Sequence, residues 1–230
     1  MIFYDSTYIL IILGAIITLA AQAKLTSTFS KYSTIRNARG LTGKEVAEQI
    51  LRSQGLYDVT VRYVPGNLSD HYDPSSKTVN LSDATYNKTS IAAVGVAAHE
   101  CGHALQHDEN YVPLQMRTLI VPVARFGSMA AVPLIILGMF LSGTTSQLII
   151  QLGIIAFLGA VIFQVVTLPV EYNASNRAVD ILESSGILSS SEIPATKTVL
   201  NAAALTYVAA VAASLLQLLR LVLITSNRNE

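Results

Sequence analysis

Four long apolar stretches limit what this chain can fold into more than any other feature of its sequence. An α-helix needs about 20 apolar residues to cross the hydrocarbon core of a bilayer, where it satisfies its own backbone hydrogen bonds. The chain is 51% hydrophobic and only 13% charged, which is too apolar for an ordinary soluble domain. The stretches are Ile9–Ala23, Phe126–Leu141 with a start near Leu119, Leu148–Val170 and Val199–Ile224. They predict a mainly α membrane protein with about four transmembrane helices, although Gln217 and Arg220 leave open whether the fourth fully spans.

The distribution of basic residues predicts the orientation of these helices. The two polar segments, Lys24–Arg117 and Glu171–Thr198, hold twelve of the fifteen Lys and Arg residues. Because basic segments stay in the cytoplasm, we expect a multi-pass protein of the cell membrane with both polar segments on the cytoplasmic side. The net charge is zero without a basic cluster, so the bilayer is an expected partner and nucleic acid is not. The predicted divisions are an N-terminal anchor (1–24), a cytoplasmic catalytic region (25–117), a transmembrane hairpin (118–170), a second cytoplasmic segment (171–198) and a C-terminal transmembrane helix (199–230).

The first polar segment has the patterns of a small α+β domain. Leu41–Ser53 has helical spacing, with Thr42 placed as a cap and Glu45 three residues later. Val59–Val64 and Thr78–Leu81 alternate in polarity and are rich in β-branched residues, which predicts a β-hairpin with a long polar loop. An edge strand of such a hairpin can accept an extended peptide, although many hairpins are purely structural.

The stretch Ile91–Gln106 carries the chemistry. It contains His99-Glu100-Cys101-Gly102-His103, an H-E-x-x-H motif, and Ser90 is placed to cap the helix. Residues four apart share a helix face, so His99 and His103 can bind one zinc ion while Glu100 acts as general base on a water. The motif predicts a metalloprotease site; the alternative is a helix whose histidines only pack and hydrogen-bond. Cys101 falls on the wrong side of the helix for a ligand and is interpreted as packing.

A catalytic zinc needs a third protein ligand and one open position. Glu109 falls at the third-ligand position of the metzincin pattern, but Gln106 replaces the glycine of that pattern, and Asp108 fits less well. Glu171 follows the third predicted span, which places it on the same side of the membrane as the motif. We therefore favour Glu171, although an acidic residue there could also be a simple solvated group.

Three separated stretches carry a family resemblance: SDHYDPSSKTVNLS, VAAHECGHALQH and LPVEYNASNRA. Together they resemble the YugP-type membrane-bound neutral zinc metallopeptidases. The resemblance implies a gluzincin-like site, with His99, His103 and Glu171 holding one Zn²⁺ per chain and Glu100 as base. The chain is more distantly similar to the HtpX-type membrane proteases, whose glutamate ligand begins an E-x-x-x-D motif. Here Ser175 stands at the acidic position of that motif, where it can orient a ligand histidine less strongly.

Further residues have two interpretations each. Asp180 is a candidate substitute for the missing carboxylate, although it is not at the matching position. His71 and Tyr72 lie in the DHYDP segment, which is most simply a polar turn. Alternatively, one of them borders the cleft and donates to the oxyanion. Arg177 is either a salt-bridge partner or a transition-state donor.

The sequence as a whole predicts a membrane-anchored zinc metalloendopeptidase with a cytoplasmic, zincin-like α+β catalytic domain. Its substrates would be peptides or proteins, including membrane proteins or their tails. The alternatives are a protease whose zinc lies within the bilayer, a non-enzymatic zinc-binding or transport protein, and an inactive membrane scaffold. Against zinc within the bilayer, Lys88 and Asp108 bracket a run that is too short to span. Against transport, transporters place polar ligands within their spans, and the second and third predicted spans are nearly free of them. An intact Glu100 argues against an inactive scaffold.

Overall fold

The computed structural model describes residues 6–226 and is mostly helical. Its elements are α1 (Tyr8–Ser33), α2 (Gly43–Ser53), β1 (Thr60–Tyr63), β2 (His71–Asp73), β3 (Thr78–Leu81), α3 (Ile91–Asp108), α4 (Val112–Phe140), α5 (Gly143–Ser184) and α6 (Ile193–Ser226). The chain forms two compact units. The apolar unit contains the described residues up to Gln22, Met116–Leu168 and the described residues from Thr206 onwards. The α+β unit contains Ala23–Gln115 and Pro169–Leu205.

The apolar unit is built from four helices that are long and apolar enough to cross a membrane, which confirms the predicted number. These helices, α1, α4, α5 and α6, bury only 11–22% of the residues in their most apolar windows. Large side chains such as Leu119, Phe126 and Phe140 are at least 75% exposed. A surface this apolar is characteristic of segments that face lipid.

Glycines allow close packing between α4 and α5 within the apolar unit. A Cβ atom added at Gly127 would lie 2.5 Å from the carbonyl oxygen of Ala156, and one at Gly153 would lie 3.0 Å from that of Ala131. The two backbones therefore meet directly, as in many membrane helix pairs.

Helix α5 continues well beyond the predicted third span. The span was expected to end at Val170, but the helix runs through Pro169 to Ser184. Ala174, Ala178 and Leu182 are spaced by four residues and are fully buried, so the polar sequence after Glu171 forms an amphipathic helix. This continuation places Glu171, Ser175 and Arg177 on a single helix.

Helix α2 and the core of the α+β unit follow the predicted pattern. The hydroxyl of Thr42 accepts a hydrogen bond from the backbone N–H of Glu45 at 3.2 Å, and the Glu45 carboxylate accepts one from the backbone N–H of Thr42 at 2.8 Å. The predicted capping box is thus confirmed. Val46 and Ile50 of α2 are fully buried in one cluster with side chains of β3 and α3.

The predicted hairpin is wrong in its strand pairing. β1 and β3 lie parallel, with Thr60 opposite Thr78, and β2 pairs antiparallel to the other edge of β3, with His71 opposite Asn80. His71–Asp73, expected to be a turn, is therefore a strand. Polarity alternation identifies strands but not their direction or their partners.

A turn joins β2 to β3 directly. One carboxylate oxygen of Asp73 accepts hydrogen bonds from the backbone N–H and the hydroxyl of Ser75, at 2.9 Å and 2.7 Å. Lys77 closes the turn in the left-handed region, with φ of 51°. Asx turns of this type reverse the chain within a few residues. The longer connection after β1 is left to carry the chain across to β2.

Candidate metal centre

Helix α3 carries the H-E-x-x-H motif through the core of the α+β unit. It begins at Ile91, and the Ser90 hydroxyl accepts a hydrogen bond from the backbone N–H of Ala93 at 3.2 Å, which confirms the predicted cap. Cys101 is fully buried, with its sulfur 3.7 Å from the carbonyl oxygen of Ala47 in α2. Burial raises the pKa of the Cys101 thiol, so this side chain is a neutral packing group.

The second wall of the site comes from α5, which meets α3 at backbone distance. A Cβ atom added at Gly102 would lie only 2.6 Å from the carbonyl oxygen of Ala174 and 3.1 Å from its Cα atom. Gly102 is the motif residue between Cys101 and His103, and Ala174 lies three residues after Glu171. The absence of a side chain at Gly102 therefore lets α5 place its polar residues against the motif histidines.

Three side chains converge at this contact. The Nε2 atom of His99 lies 3.4 Å from Oε2 of Glu171, and the Nε2 atom of His103 lies 3.6 Å from the same oxygen. Their three ligand atoms all lie within 4.8 Å of one another. Tetrahedral ligands 2.0–2.1 Å from a zinc ion are separated by about 3.3–3.4 Å. The two distances from Glu171 to the histidines are therefore close to the separation that a zinc ion requires.

The electrostatic environment of the triad favours a cation. The side chains of His99, His103 and Glu171 are only 15%, 12% and 3% exposed. Burial alone would lower the pKa of His103, but its hydrogen bond to Glu171 and the negative charges of Glu100 and Glu171 outweigh this and raise it. Positive charge is thus stabilised at this point, although it is removed from water. Glu100 is itself 7% exposed and adds to that field.

Both histidines are held by their other ring nitrogen. Nδ1 of His99 lies 3.1 Å from the Ser175 hydroxyl, and Nδ1 of His103 lies 3.0 Å from Oε1 of Gln106. Because an amide oxygen only accepts hydrogen bonds, His103 donates from Nδ1, and its Nε2 atom is the one that faces Glu171. Ligand histidines in zinc sites are commonly oriented in this way.

Gln106 is the residue at this site that the sequence alone did not reveal. It was noted only for occupying the place of a glycine in another protease pattern. The available signal was its spacing, because a residue three positions after His103 lies on the same helix face. Ser175, which was considered for such a role, lies against His99.

The other candidate ligands are engaged elsewhere or exposed. Both carboxylate oxygens of Glu109 accept hydrogen bonds from the Arg177 guanidinium at 2.7 Å, and the Glu109 side chain is 52% exposed. Within residues 6–226, the group of His, Cys, Asp or Glu residues with metal-binding spacing is the triad with Glu171. Asp108 and Asp180 are exposed and lie outside it. Arg177 thus forms an ion pair, and a role in the transition state stays a prediction.

The two residues of the DHYDP segment lie on β2. His71 is exposed; its Nδ1 lies 2.9 Å from the carbonyl oxygen of Ser69, and its Nε2 lies 3.3 Å from the Asn80 amide. Tyr72 reaches α3, where its hydroxyl lies 2.9 Å from Nδ1 of His107. Burial is the main cause that raises the pKa of Tyr72 to about 12, so the phenol stays protonated at neutral pH. A contact of either residue with an oxyanion stays a prediction.

Apolar helices of membrane-spanning length define a membrane protein. The H-E-x-x-H histidines of α3 and the buried Glu171 of α5 give it a candidate metal centre. The chain belongs to the family described as "Putative neutral zinc metallopeptidase", which matches residues 7–226. It is 50% identical over 210 residues to the Bacillus subtilis (strain 168) protein described as "Putative membrane protease YugP", covering 91% of this chain and 92% of that protein. No solved structure matches the chain. The family resemblance predicted from the three sequence stretches is confirmed.

Proposed function

We propose that this chain is a membrane-anchored zinc metalloendopeptidase of the gluzincin type, with one zinc ion held by His99, His103 and Glu171. The observation that carries the proposal is the position of Glu171, whose Oε2 atom lies 3.4 Å and 3.6 Å from the two histidine Nε2 atoms. Two imidazoles and one carboxylate are a ligand set of catalytic zinc sites, which keep a fourth position for water or substrate. The family and the name of the Bacillus subtilis relative support the same activity.

The chain supplies a base beside this ligand set. A zinc ion bound there would lower the pKa of a coordinated water to about 7 and polarise the peptide carbonyl. Glu100 follows His99 in the helix, so its carboxylate can accept the proton from the attacking water and then deliver it to the leaving amine.

The substrate side of the proposal depends on the sheet and on the charge distribution. β3 is the central strand, and β2 is an outer strand whose Tyr72 is tied to α3. An extended peptide aligned along an outer strand beside the motif helix would present its carbonyl to the metal. The twelve basic residues in the two polar segments support a cytoplasmic, zincin-like catalytic domain. We infer that its substrates include segments of membrane proteins on that side.

Substitution of Glu100 by Gln tests the proposal directly. We expect the purified variant in detergent to keep about one zinc per chain by metal analysis and to lose at least about 100-fold in cleavage of casein or a quenched peptide, because the base is removed and the ligands are retained. Glu48→Gln in α2 is a matched control, because Glu48 only pairs with Lys44 at 3.8 Å on the surface. Undiminished cleavage by Glu100→Gln would remove this residue from its role. Zinc in the wild type without any hydrolysis would instead support a non-enzymatic zinc protein.

A further inference from the structure

A continuous chain of hydrogen bonds leads from the triad to the surface of the α+β unit. His103 Nδ1 lies 3.0 Å from Gln106 Oε1, Gln106 Nε2 donates to Asn173 Oδ1 at 2.9 Å, and Arg177 Nε donates to the same oxygen at 2.8 Å. Arg177 then donates twice to Glu109 at 2.7 Å. We propose that Gln106 and Asn173 are positioning residues that fix the imidazole of His103 for metal binding. The inference rests on the proposed zinc site.

The orientation of the Gln106 amide is determined by its neighbours. Gln106 is fully buried, and its NH₂ group donates to the carbonyl oxygen of Val170 at 2.8 Å as well as to Asn173. Rotating the amide by half a turn would place its oxygen against two acceptors and leave its N–H groups facing His103. The rotated amide oxygen would then be buried against two acceptors without a donor, which is costly. The amide oxygen therefore faces Nδ1 of His103, so a neutral His103 carries its proton on Nδ1 and its lone pair on Nε2.

Asn173 and the ion pair hold this amide in place. The Asn173 oxygen receives two hydrogen bonds, from Gln106 and from Arg177. The guanidinium of Arg177 cannot easily turn away, because Glu109 binds it through both oxygens and the Tyr111 ring lies 5.9 Å from its central carbon. Bidentate Arg–carboxylate pairs are geometrically specific. The orientation of His103 is thus secured by residues of both α3 and α5.

His99 provides an internal comparison. Its Nδ1 lies against the hydroxyl of Ser175 at 3.1 Å, and a hydroxyl can rotate between donor and acceptor positions. Gln106 cannot, because both of its N–H groups are already used. We therefore expect loss of Gln106 to affect metal binding more than Ser175→Ala does.

The test compares zinc affinity between wild type and Gln106→Met for the full chain in detergent, measured by competition with a chromogenic chelator. Gln106→Met keeps the length of the side chain but removes the acceptor, and we expect a 10- to 100-fold weaker affinity. Gln115→Met is the matched control, because the exposed Gln115 side chain donates to Asn110 and has no contact with the triad among the described residues. If Gln106 contributed only by packing, Gln106→Met would bind zinc with wild-type affinity, and that result would overturn the proposal.

A second measurement tests the proposal without a Gln106 variant, in case such a variant fails to fold. In zinc-loaded protein with ¹⁵N-labelled histidine, the Nδ1 proton of His103 should be visible and slow to exchange, and Asn173→Ala should make it exchange at least tenfold faster. Asn176→Ala, three residues away on an exposed position, should leave it unchanged. Equal exchange rates in wild type and Asn173→Ala would refute the positioning role. If the wild type itself bound no zinc, the proposed function would fail instead, so the two failures are distinguishable.

Discussion

Substitution of Gly102 by Ala should separate Glu171 from the motif histidines without touching any of the three side chains. The added Cβ would lie 2.6 Å from the Ala174 carbonyl oxygen, and ordinary contact begins near 3.4 Å, so the α3 and α5 backbones must move apart by about 0.8 Å. Glu171 lies one turn before Ala174 on the same helix and would move with it. Metal–ligand distances tolerate only about 0.2 Å.

The expected loss can be stated as an affinity. A displacement of this size should weaken zinc binding by about 10- to 100-fold, equivalent to about 1.4–2.8 kcal/mol. The free energy of unfolding should fall by about 1–3 kcal/mol from overpacking, offset by up to about 1 kcal/mol from the better helix propensity of Ala. Chelator competition measures the first quantity, and thermal unfolding in detergent reports the direction of the second.

Two other glycines serve as controls for the same chemical change. A Cβ atom at Gly159 of α5 meets nothing within 4 Å, so Gly159→Ala should leave zinc affinity unchanged. A Cβ atom at Gly95 of α3 meets only the methyl tip of Thr196 at 3.0 Å, which can give way, so Gly95→Ala should have an intermediate effect. Zinc affinity in Gly102→Ala within twofold of wild type would refute the reasoning from backbone contact.

Three further expectations follow from contacts of the α+β unit. The hydrogen bonds from Arg177 lower the pKa of Glu109, so the ion pair stabilises the fold above the ordinary pKa of a glutamate, and this stabilisation is lost as the pH falls through the lowered pKa. The difference in melting temperature between wild type and Glu109→Gln should therefore shrink from pH 6 to pH 3, and a constant difference would argue against the ion pair's contribution. Thr42→Ala should cost about 1 kcal/mol in the free energy of unfolding, because the hydroxyl that accepts the hydrogen bond from the Glu45 backbone N–H is lost. An unchanged melting temperature would exclude that contribution. Cys101, fully buried as a neutral thiol, should resist N-ethylmaleimide in the native protein and react once denatured, as mass spectrometry would show; rapid native labelling would mean that α3 is exposed.

The choice between the two acidic candidates shows where sequence reasoning ends. Glu109 and Glu171 are both acidic residues at places where a third ligand could stand; membrane topology and the family resemblance favoured Glu171, but neither gives its distance from the motif histidines. The structure pairs Glu109 with Arg177 through both oxygens and buries Glu171 against His99 and His103. The difference arises from helix packing, which cannot be deduced from local spacing.

What the sequence determined by itself is local or depends on hydropathy alone. The four apolar helices follow from the length and composition of the apolar stretches, because a segment that crosses the lipid must satisfy all its backbone hydrogen bonds internally. The caps at Thr42 and Ser90 follow from residue type, because a Ser or Thr hydroxyl can accept a hydrogen bond from the unpaired backbone N–H three residues later. The motif histidines share a face because the α-helix has a fixed period.

Only the tertiary structure decided the relations between elements. β1 and β3 pair in parallel, and alternation of polarity along a strand carries no information about its direction. The contact of Gly102 with Ala174 brings Glu171 to the histidines, and the amide of Gln106 faces His103 only because α5 supplies its partners. These contacts join residues far apart in the chain, so their geometry is set by the packing of whole helices and not by any local pattern.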